Sequence, residues 1–475
     1  MARSRLFELL RSVLFYGYGL FTLFLYALIS IQKGTFFKRP TEKEKLELRI
    51  ARDRFWNLSK DCSGLSHHFL TLRNGFKFHY VSNYAPGRSA DKPLVVFIHG
   101  FPDSWAIWRH IICSHSLQKE AVVVAVDLPG YGGSGTMDEY TATNVLESLA
   151  EFIIAIRAQY GIDTETETNQ RRVVIVGHDW GCVLAMRLAA DAPQLGDRFI
   201  LTNGPLPRLA AANIRRLLSS SWKMIKTSGR TPIRSRSTLL KAAKTLIPVF
   251  RQLILSGYIF AMQLPMVLVE YLGHGGNHSF LKAAHRGSCG NAEFTPRDAA
   301  ECMASSLGPS VEECNTATSD GDEYPESVKK NRTSSFPQMA CYYRQGAAFS
   351  RWEKSLETIA YLHSLSRGVD FRRTSSGAEL FDGGPEGFLK AHSTIIWGRD
   401  DIALEPHLCL DGISDYLVYN SQVVELPRSG HFTPMEPESQ LALEKVVEWA
   451  VKGEKEDIGA VIGNCYPKAV VTVRR

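Results

Sequence analysis

One pentapeptide constrains this chain more than any other feature. Gly177-His178-Asp179-Trp180-Gly181 follows the apolar run Val173-Val174-Ile175-Val176 and precedes a helical stretch from Val183 to Ala190. A buried strand that turns at once into a helix needs small residues flanking the bend, and the residue at the apex is presented at the end of the strand. Here that residue is Asp179, a carboxylate. A carboxylate attacks carbon poorly unless the bond to be broken is strained or the leaving group is already good.

The rest of the chain supplies a sheet around this bend. His67 to Leu72 and Phe76 to Val81 have strand character and are joined through Asn74-Gly75, a hairpin signal. Leu94 to Ile98 and Val122 to Val126 are continuous apolar runs, as in strands buried on both faces. Helical stretches follow at Thr143 to Arg157 and Val183 to Ala190, then strand character at Phe199 to Thr202. Such alternation implies a mostly parallel, doubly wound α/β sheet. From about Pro205 to Arg351 it gives way to helical or irregular sequence. It resumes with strands at Thr394 to Trp397 and Gln422 to Leu426 and a closing helix from Glu438 to Ala450. The interruption reads as an inserted helical lid. Within it, Ser306 to Ser335 is polar and expected to be a mobile loop, and Gly368 to Gly387 has the same character. Leu253 to Val269 is apolar enough to resemble a membrane span, but Gln263 and Pro265 interrupt it, so we expect a buried lid helix. The tail after Lys452 carries no clear signal. The expected division is an anchor at 1–50, core at 51–204, lid at 205–390 and core again at 391–475.

Val13 to Ile31 has no charge and is long enough to span a bilayer core. No small-residue cleavage site follows it, which argues against a removed signal peptide. Lys33, Lys38, Arg39, Lys43, Lys45 and Arg49 follow the run, against Arg3, Arg5 and Arg11 before it. That bias favours a single-pass protein with a cytosolic catalytic domain, expected in the endoplasmic reticulum membrane. Sequons at Asn57, Asn277 and Asn331 point the other way. Arg208 to Val269 holds eleven Lys or Arg and no acidic residue, which suggests contact with anionic membrane lipid. The net charge of +6 is too modest to suggest nucleic-acid binding. The nine cysteines show no metal-ligand or CxxC spacing, so free thiols and no metal site are expected.

A carboxylate nucleophile favours an epoxide or alkyl halide over an ester, and it needs supporting groups. His99-Gly100-Phe101-Pro102 follows a buried strand where an α/β-hydrolase fold places its oxyanion hole; the backbone N–H groups of Phe101 and Trp180 are the expected donors. His431, in Ser429-Gly430-His431-Phe432 after the last strand, fits the general base that activates water. Its orienting acid is expected at Asp401, ahead of Asp400, in Gly398-Arg399-Asp400-Asp401; the other location that the fold allows carries Asn203. Opening an epoxide also requires an O–H donor for the ring oxygen, a role suited to tyrosine.

With HGFPDSW (His99 to Trp105), GYGGS (Gly130 to Ser134), GHDWG and SGHF in place, the chain resembles the α/β-hydrolase-fold epoxide hydrolases, in particular the membrane-anchored relatives of the soluble mammalian enzyme, over about residues 60–300 and 335–450. The resemblance implies two lid tyrosines. One precedes the arginine of a YR motif, here Tyr343 before Arg344; the other lies five residues before the Gln of a Q-x-P element, here Tyr258 before Gln263-Leu264-Pro265. It implies conversion of a lipophilic epoxide and water to a vicinal diol without a cofactor. Two departures stand out: Pro129 where arginine is common, and a polar segment of about 30 residues before Tyr343. A dehalogenase would share the Asp-His-Asp set, but Phe101 and Trp180 replace the Asn and Arg that hold halide or carboxylate there. A catalytically silent scaffold would not be expected to keep all five side chains. Nothing in the sequence bears on oligomeric state.

Overall fold

The sheet is built outward from a parallel centre. Its strands are β1 (Ser66–Thr71), β2 (Lys77–Ser82), β3 (Leu94–Ile98), β4 (Val122–Val126), β5 (Val173–His178), β6 (Arg198–Thr202), β7 (Ser393–Gly398), β8 (Gln422–Leu426) and β9 (Val470–Val473). They pair in the order β1-β2-β4-β3-β5-β6-β7-β8-β9. The ladders from β4 to β8 are parallel, while β1, β2 and β9 join antiparallel at the two edges. The computed structural model behind this description covers residues 2–87, 91–163, 171–230, 236–290, 293–330, 335–373 and 384–474.

The continuous apolar runs are explained by cover on both faces. Val96, Val124, Ile175 and Leu201 pack on one side with Leu146, Phe152, Leu184 and Leu188 of the helices Ala142–Gln159 and Trp180–Asp191. Their neighbours Val95, Val123, Val174 and Ile200 face the other way, onto Phe55, Trp56, Trp108, Leu443 and Val447. The hairpin forms where Asn74-Gly75 predicts it, with Gly75 at φ +83° and its N–H bonded to the Leu72 carbonyl.

Between β6 and β7 the chain is largely helical, with helices at Pro207–Arg230, Arg236–Thr245, Ile247–Leu255, Gly257–Ala261, Met266–Arg286, Pro296–Leu307 and Phe336–Arg344 among the described residues. Two expectations are corrected. Leu253 to Val269 is not one buried helix. It breaks after Leu255 and again at Gln263 to Pro265, where proline lacks the N–H a continuing helix would need, and Leu253 and Ile254 are exposed. The polar segment does not stand free either. Thr316 Oγ1 accepts from the Leu58 N–H, Tyr324 donates to the Trp56 carbonyl, and Lys77 pairs with Asp322 at 3.1 Å, fastening it to the elements before β3. Much of Gly368 to Gly387, and the sequon at Asn331, lie outside the described residues.

The tail after Lys452 adds a helix, Ile458–Cys465, and strand β9. Its first acidic residue, Glu454, binds the buried Arg198 of β6, with Nε–Oε1 at 2.9 Å, and also Arg172. Burial alone would raise the Glu454 pKa. The hydrogen bond and charge of Arg198, with the charge of Arg172, outweigh it and hold the group below the usual carboxylate range. Removing one partner of such a pair leaves a buried charge unmatched. Glu454→Ala is therefore expected to cost about 3 kcal/mol of unfolding free energy in a denaturant titration, and a change below about 0.5 kcal/mol would show that solvent already compensates Arg198.

Candidate active site

The elbow forms because nothing larger than glycine fits around it. A Cβ on Gly181 would sit 2.0 Å from the Ile98 carbonyl oxygen, and one on Gly100 would sit 2.5 Å from both Asp179 Oδ2 and the Trp180 nitrogen. β3 and β5 thus run so close that the loops after them meet. Asp179 occupies φ 51°, ψ −116°, a conformation costly for a side-chain-bearing residue and held by its surroundings. The strain turns its carboxylate toward the loop after β3, where Oδ2 accepts the Phe101 N–H at 2.8 Å. The Trp180 N–H heads the following helix on the other side of the same gap, where the helix dipole also favours negative charge.

His431 stands across from this carboxylate. Its Nε2 is 3.6 Å from Asp179 Oδ1, and its Nδ1 is 2.9 Å from Asp401 Oδ2. Asp401 accepts three further hydrogen bonds: from the Ala403 N–H at 2.7 Å, the Leu404 N–H at 2.9 Å and Asn203 Nδ2 at 2.7 Å. Asp400 is exposed, and the histidine's partner is Asp401. Burial by itself would lower the His431 pKa. The charge of Asp401, the hydrogen bond to it and the nearby charge of Asp179 overcome this and raise it to about 10. Asp401 goes the other way: its desolvation is outweighed by His431, Asn203 and the backbone donors, which hold it below the usual carboxylate range.

Three residues not foreseen in the sequence complete the surround. Asn203 sits at the end of β6, where its lack of a carboxylate made it look irrelevant; its amide instead holds Asp401. His178, beside the elbow, donates Nε2–H to the His431 carbonyl at 2.8 Å; burial, helped by the charge of His431, pushes its pKa down to about 4 and keeps it neutral. Glu436 accepts the Gly430 N–H at 2.8 Å and braces the histidine loop. Only the first could have been sought from chain order, as a position facing the acid.

Tyr258 and Tyr343 come together over the same carboxylate. Their ring centroids lie 5.8 Å apart; Tyr343 packs on Trp180 at 5.0 Å and Phe101 at 5.6 Å, and Tyr258 stacks on Phe101 at 6.3 Å. The motifs around them form a clasp. Gln263 Nε2 donates to the Tyr343 carbonyl at 2.8 Å, and Arg344 donates to the Met262 and Leu264 carbonyls at 2.7 Å each. Burial foremost, with the charge of Asp179 added, raises the pKa of both phenols, so they remain protonated donors. The neighbouring Tyr342 is occupied differently: its hydroxyl donates to the carbonyl of Pro129. A cavity of about 490 Å³ opens beside these groups, lined by Asp179, His431, Phe101 and Tyr258. Among the described residues no group of three or more His, Cys, Asp or Glu is placed to hold a metal ion.

The family model described as the alpha/beta hydrolase family matches residues 95–444, and the chain belongs to that family. Within it, mouse epoxide hydrolase 3 is 32% identical over 150 residues, 29% of this chain and 36% of that protein. Mouse epoxide hydrolase 4 is 32% identical over 155 residues, 32% and 38% of the two chains. The chain thus spans little more than a third of the length of these curated relatives. A crystal structure of an epoxide hydrolase from Vigna radiata is 18% identical, with a TM-score of 0.48 over 82% of this chain and 99% of that one.

The raised His431 pKa carries a pH signature. Its pairing stabilises the fold fully below the free imidazole value of about 6.5 and is lost as pH rises through about 10. Thermal unfolding temperature should therefore fall more steeply from pH ~7 to pH ~10 for the parent than for His431→Gln; parallel curves would mean that the histidine is not charged in the folded protein.

Proposed function

We propose that this protein is an epoxide hydrolase that converts lipophilic epoxides to vicinal diols through an ester on Asp179. The observation that carries the reading is the meeting of Asp179, already hydrogen-bonded by the Phe101 N–H, with two protonated tyrosines that pack on Phe101 and on each other. A serine or haloalkane chemistry has no use for two neutral phenols there.

In the first step Asp179 Oδ1 forms a bond to a ring carbon as the C–O ring bond breaks. Tyr258 and Tyr343 hold the departing oxygen, and one of them supplies its proton. Forming the ester removes the charge of Asp179, one of the two carboxylates that raise the His431 pKa. The imidazolium then gives up its proton more readily, which restores the phenol ionised in the first step, and it becomes a neutral base still oriented by Asp401. In the second step His431 Nε2 takes a proton from water and the hydroxide attacks the ester carbonyl carbon; as the ester carbon–oxygen bond breaks, the leaving alkoxide takes that proton from His431 and departs as the diol, and the acid left on Asp179 returns its own proton to His431. The oxygen held by the Phe101 N–H, with the Trp180 N–H as the second expected donor, is where negative charge develops in between. No step calls on a cofactor.

The membrane reading has its own support. Ser12–Gln32 is long and apolar enough to cross a membrane. The basic, acid-free lid surface also exposes Trp222, Phe250, Ile254 and Val267, a combination suited to lipid. We place the catalytic domain on the cytosolic side, in the endoplasmic reticulum. Asn277 lines the cavity, and the side-chain nitrogen of Asn57 donates to Asp53.

Single-turnover hydrolysis of a lipophilic epoxide in heavy-oxygen water should give unlabelled diol and a labelled Asp179 peptide. Label in the first-turnover diol would mean that water attacks the ring directly, and no diol from several epoxides would favour halide substrates or a silent scaffold. Asp179→Ala should abolish turnover, and His431→Gln should accumulate the ester as a mass adduct; steady diol production by the latter would refute its role as base. Tyr343→Phe should lower kcat about a hundredfold, with Tyr258→Phe similar, and unchanged kcat in both would remove the tyrosines from the reaction.

A further inference from the structure

The N-terminal apolar helix, Ala2–Gln32, has two different sides. Val13, Leu14, Leu20, Phe21, Phe24 and Leu28 are exposed, as a lipid-facing surface would be. Gly19, Thr22, Leu23 and Ser30 are buried, and their spacing puts them on one helical face. That face meets the lid. A Cβ on Gly19 would lie 2.5 Å from the Phe260 carbonyl oxygen, and one on Gly257 would lie 3.1 Å from the Thr22 side chain. Phe15 and Tyr18 pack on the Phe260 ring at 4.6 and 4.9 Å, and the Tyr18 hydroxyl donates to the Leu253 carbonyl at 3.0 Å.

The helix reached in this way, Gly257–Ala261, is the short element that carries Tyr258. Five residues cannot hold a helix in place alone, so its position comes from what it packs against. Further along, Tyr26 packs on Phe280 at 5.6 Å, Phe280 packs on Tyr258 at 6.1 Å, and Ser30 and Ser279 share a hydrogen bond at 2.8 Å. Tyr26, Ile29, Ser30 and Lys33 line the same cavity as Asp179 and His431.

We propose that the N-terminal membrane helix is a wall of the substrate cavity and positions Tyr258 through the Gly19–Phe260 contact, so that anchor and active site form one unit. This rests on the epoxide hydrolase reading for the role of Tyr258. Gly19 and Thr22 are positioning residues, acting through the backbone of Gly257–Ala261. A lipophilic substrate would reach Asp179 along this helix, passing from membrane to cavity without crossing bulk water.

The test uses the full chain in vesicles. Gly19→Leu forces a side chain into the Phe260 carbonyl. Gly17→Leu is its control on the same helix, since a Cβ there meets nothing within 4 Å. Both add the same apolar bulk to the anchor. For a lipophilic epoxide, Gly19→Leu should lower kcat about tenfold or more while KM changes less, and Gly17→Leu should stay within about twofold. Equal kinetics for the two variants would overturn the proposal. An independent reading comes from Thr22→Cys with Gly257→Cys, which should cross-link on mild oxidation, as peptide mass mapping would show. Absence of that cross-link would overturn the contact itself. A cross-link in a protein whose parent forms no diol would leave the contact standing and overturn the epoxide reading, and with it the positioning role.

Discussion

Everything at this site depends on how closely β3 and β5 can approach. Gly181 lets the helix after β5 pass against the carbonyl of Ile98, and Gly100 lets the loop after β3 come within hydrogen-bonding reach of Asp179. Any side chain at either position would push the two loops apart by more than a hydrogen bond tolerates. The strained φ of Asp179 is a consequence of that approach, and the Phe101 N–H bond offsets part of its cost. The nucleophile is therefore oriented by backbone on backbone, the least adjustable packing a protein has. The irregular parts of the lid need only bring the tyrosines.

Charge ties the second half of the site to the first. His431 lies between two carboxylates in a buried setting, and neither would tolerate burial without it. Asp401 has four donors in all, so its charge is fixed in place and its orientation of the imidazole is rigid. Asp179 has fewer constraints on the oxygen that faces His431. The arrangement thus separates a carboxylate that stays from one free to react, with the two distinguished by hydrogen-bond count.

The parts legible in the sequence are those written in a few consecutive residues. The elbow, the HGFP loop and the SGHF loop each follow an apolar run, and each stands where such a pattern places it. The parts that escaped are those joined only in space. Asn203 and Asp401 are 198 positions apart, and no local pattern says that an amide will hold that acid. β9 is four residues long, and it is a strand because the open edge of β8 offers it partners. The polar composition of Ser306 to Ser335 suggested a solvated loop, yet Tyr324 is fully enclosed. A few anchoring side chains suffice to fix such a segment, whatever its average polarity. In the N-terminal helix a uniformly apolar composition concealed the small-residue face that packs against the lid.

The long insertion before Tyr343 raises the question of how the tyrosine keeps its place. Loop closure entropy grows only with the logarithm of length, about 0.6 kcal/mol for each doubling. A hydrogen bond from a charged donor contributes about 1.5–3 kcal/mol. The guanidinium of Arg344 makes two such bonds to the carbonyls of Met262 and Leu264, and Gln263 returns one to Tyr343. The clasp therefore outweighs the extra chain, and it acts directly beside both phenols. This explains why the arginine follows the tyrosine immediately. Its target is the backbone of the segment that follows Tyr258, so binding it fixes the separation of the two donors regardless of what the intervening chain does.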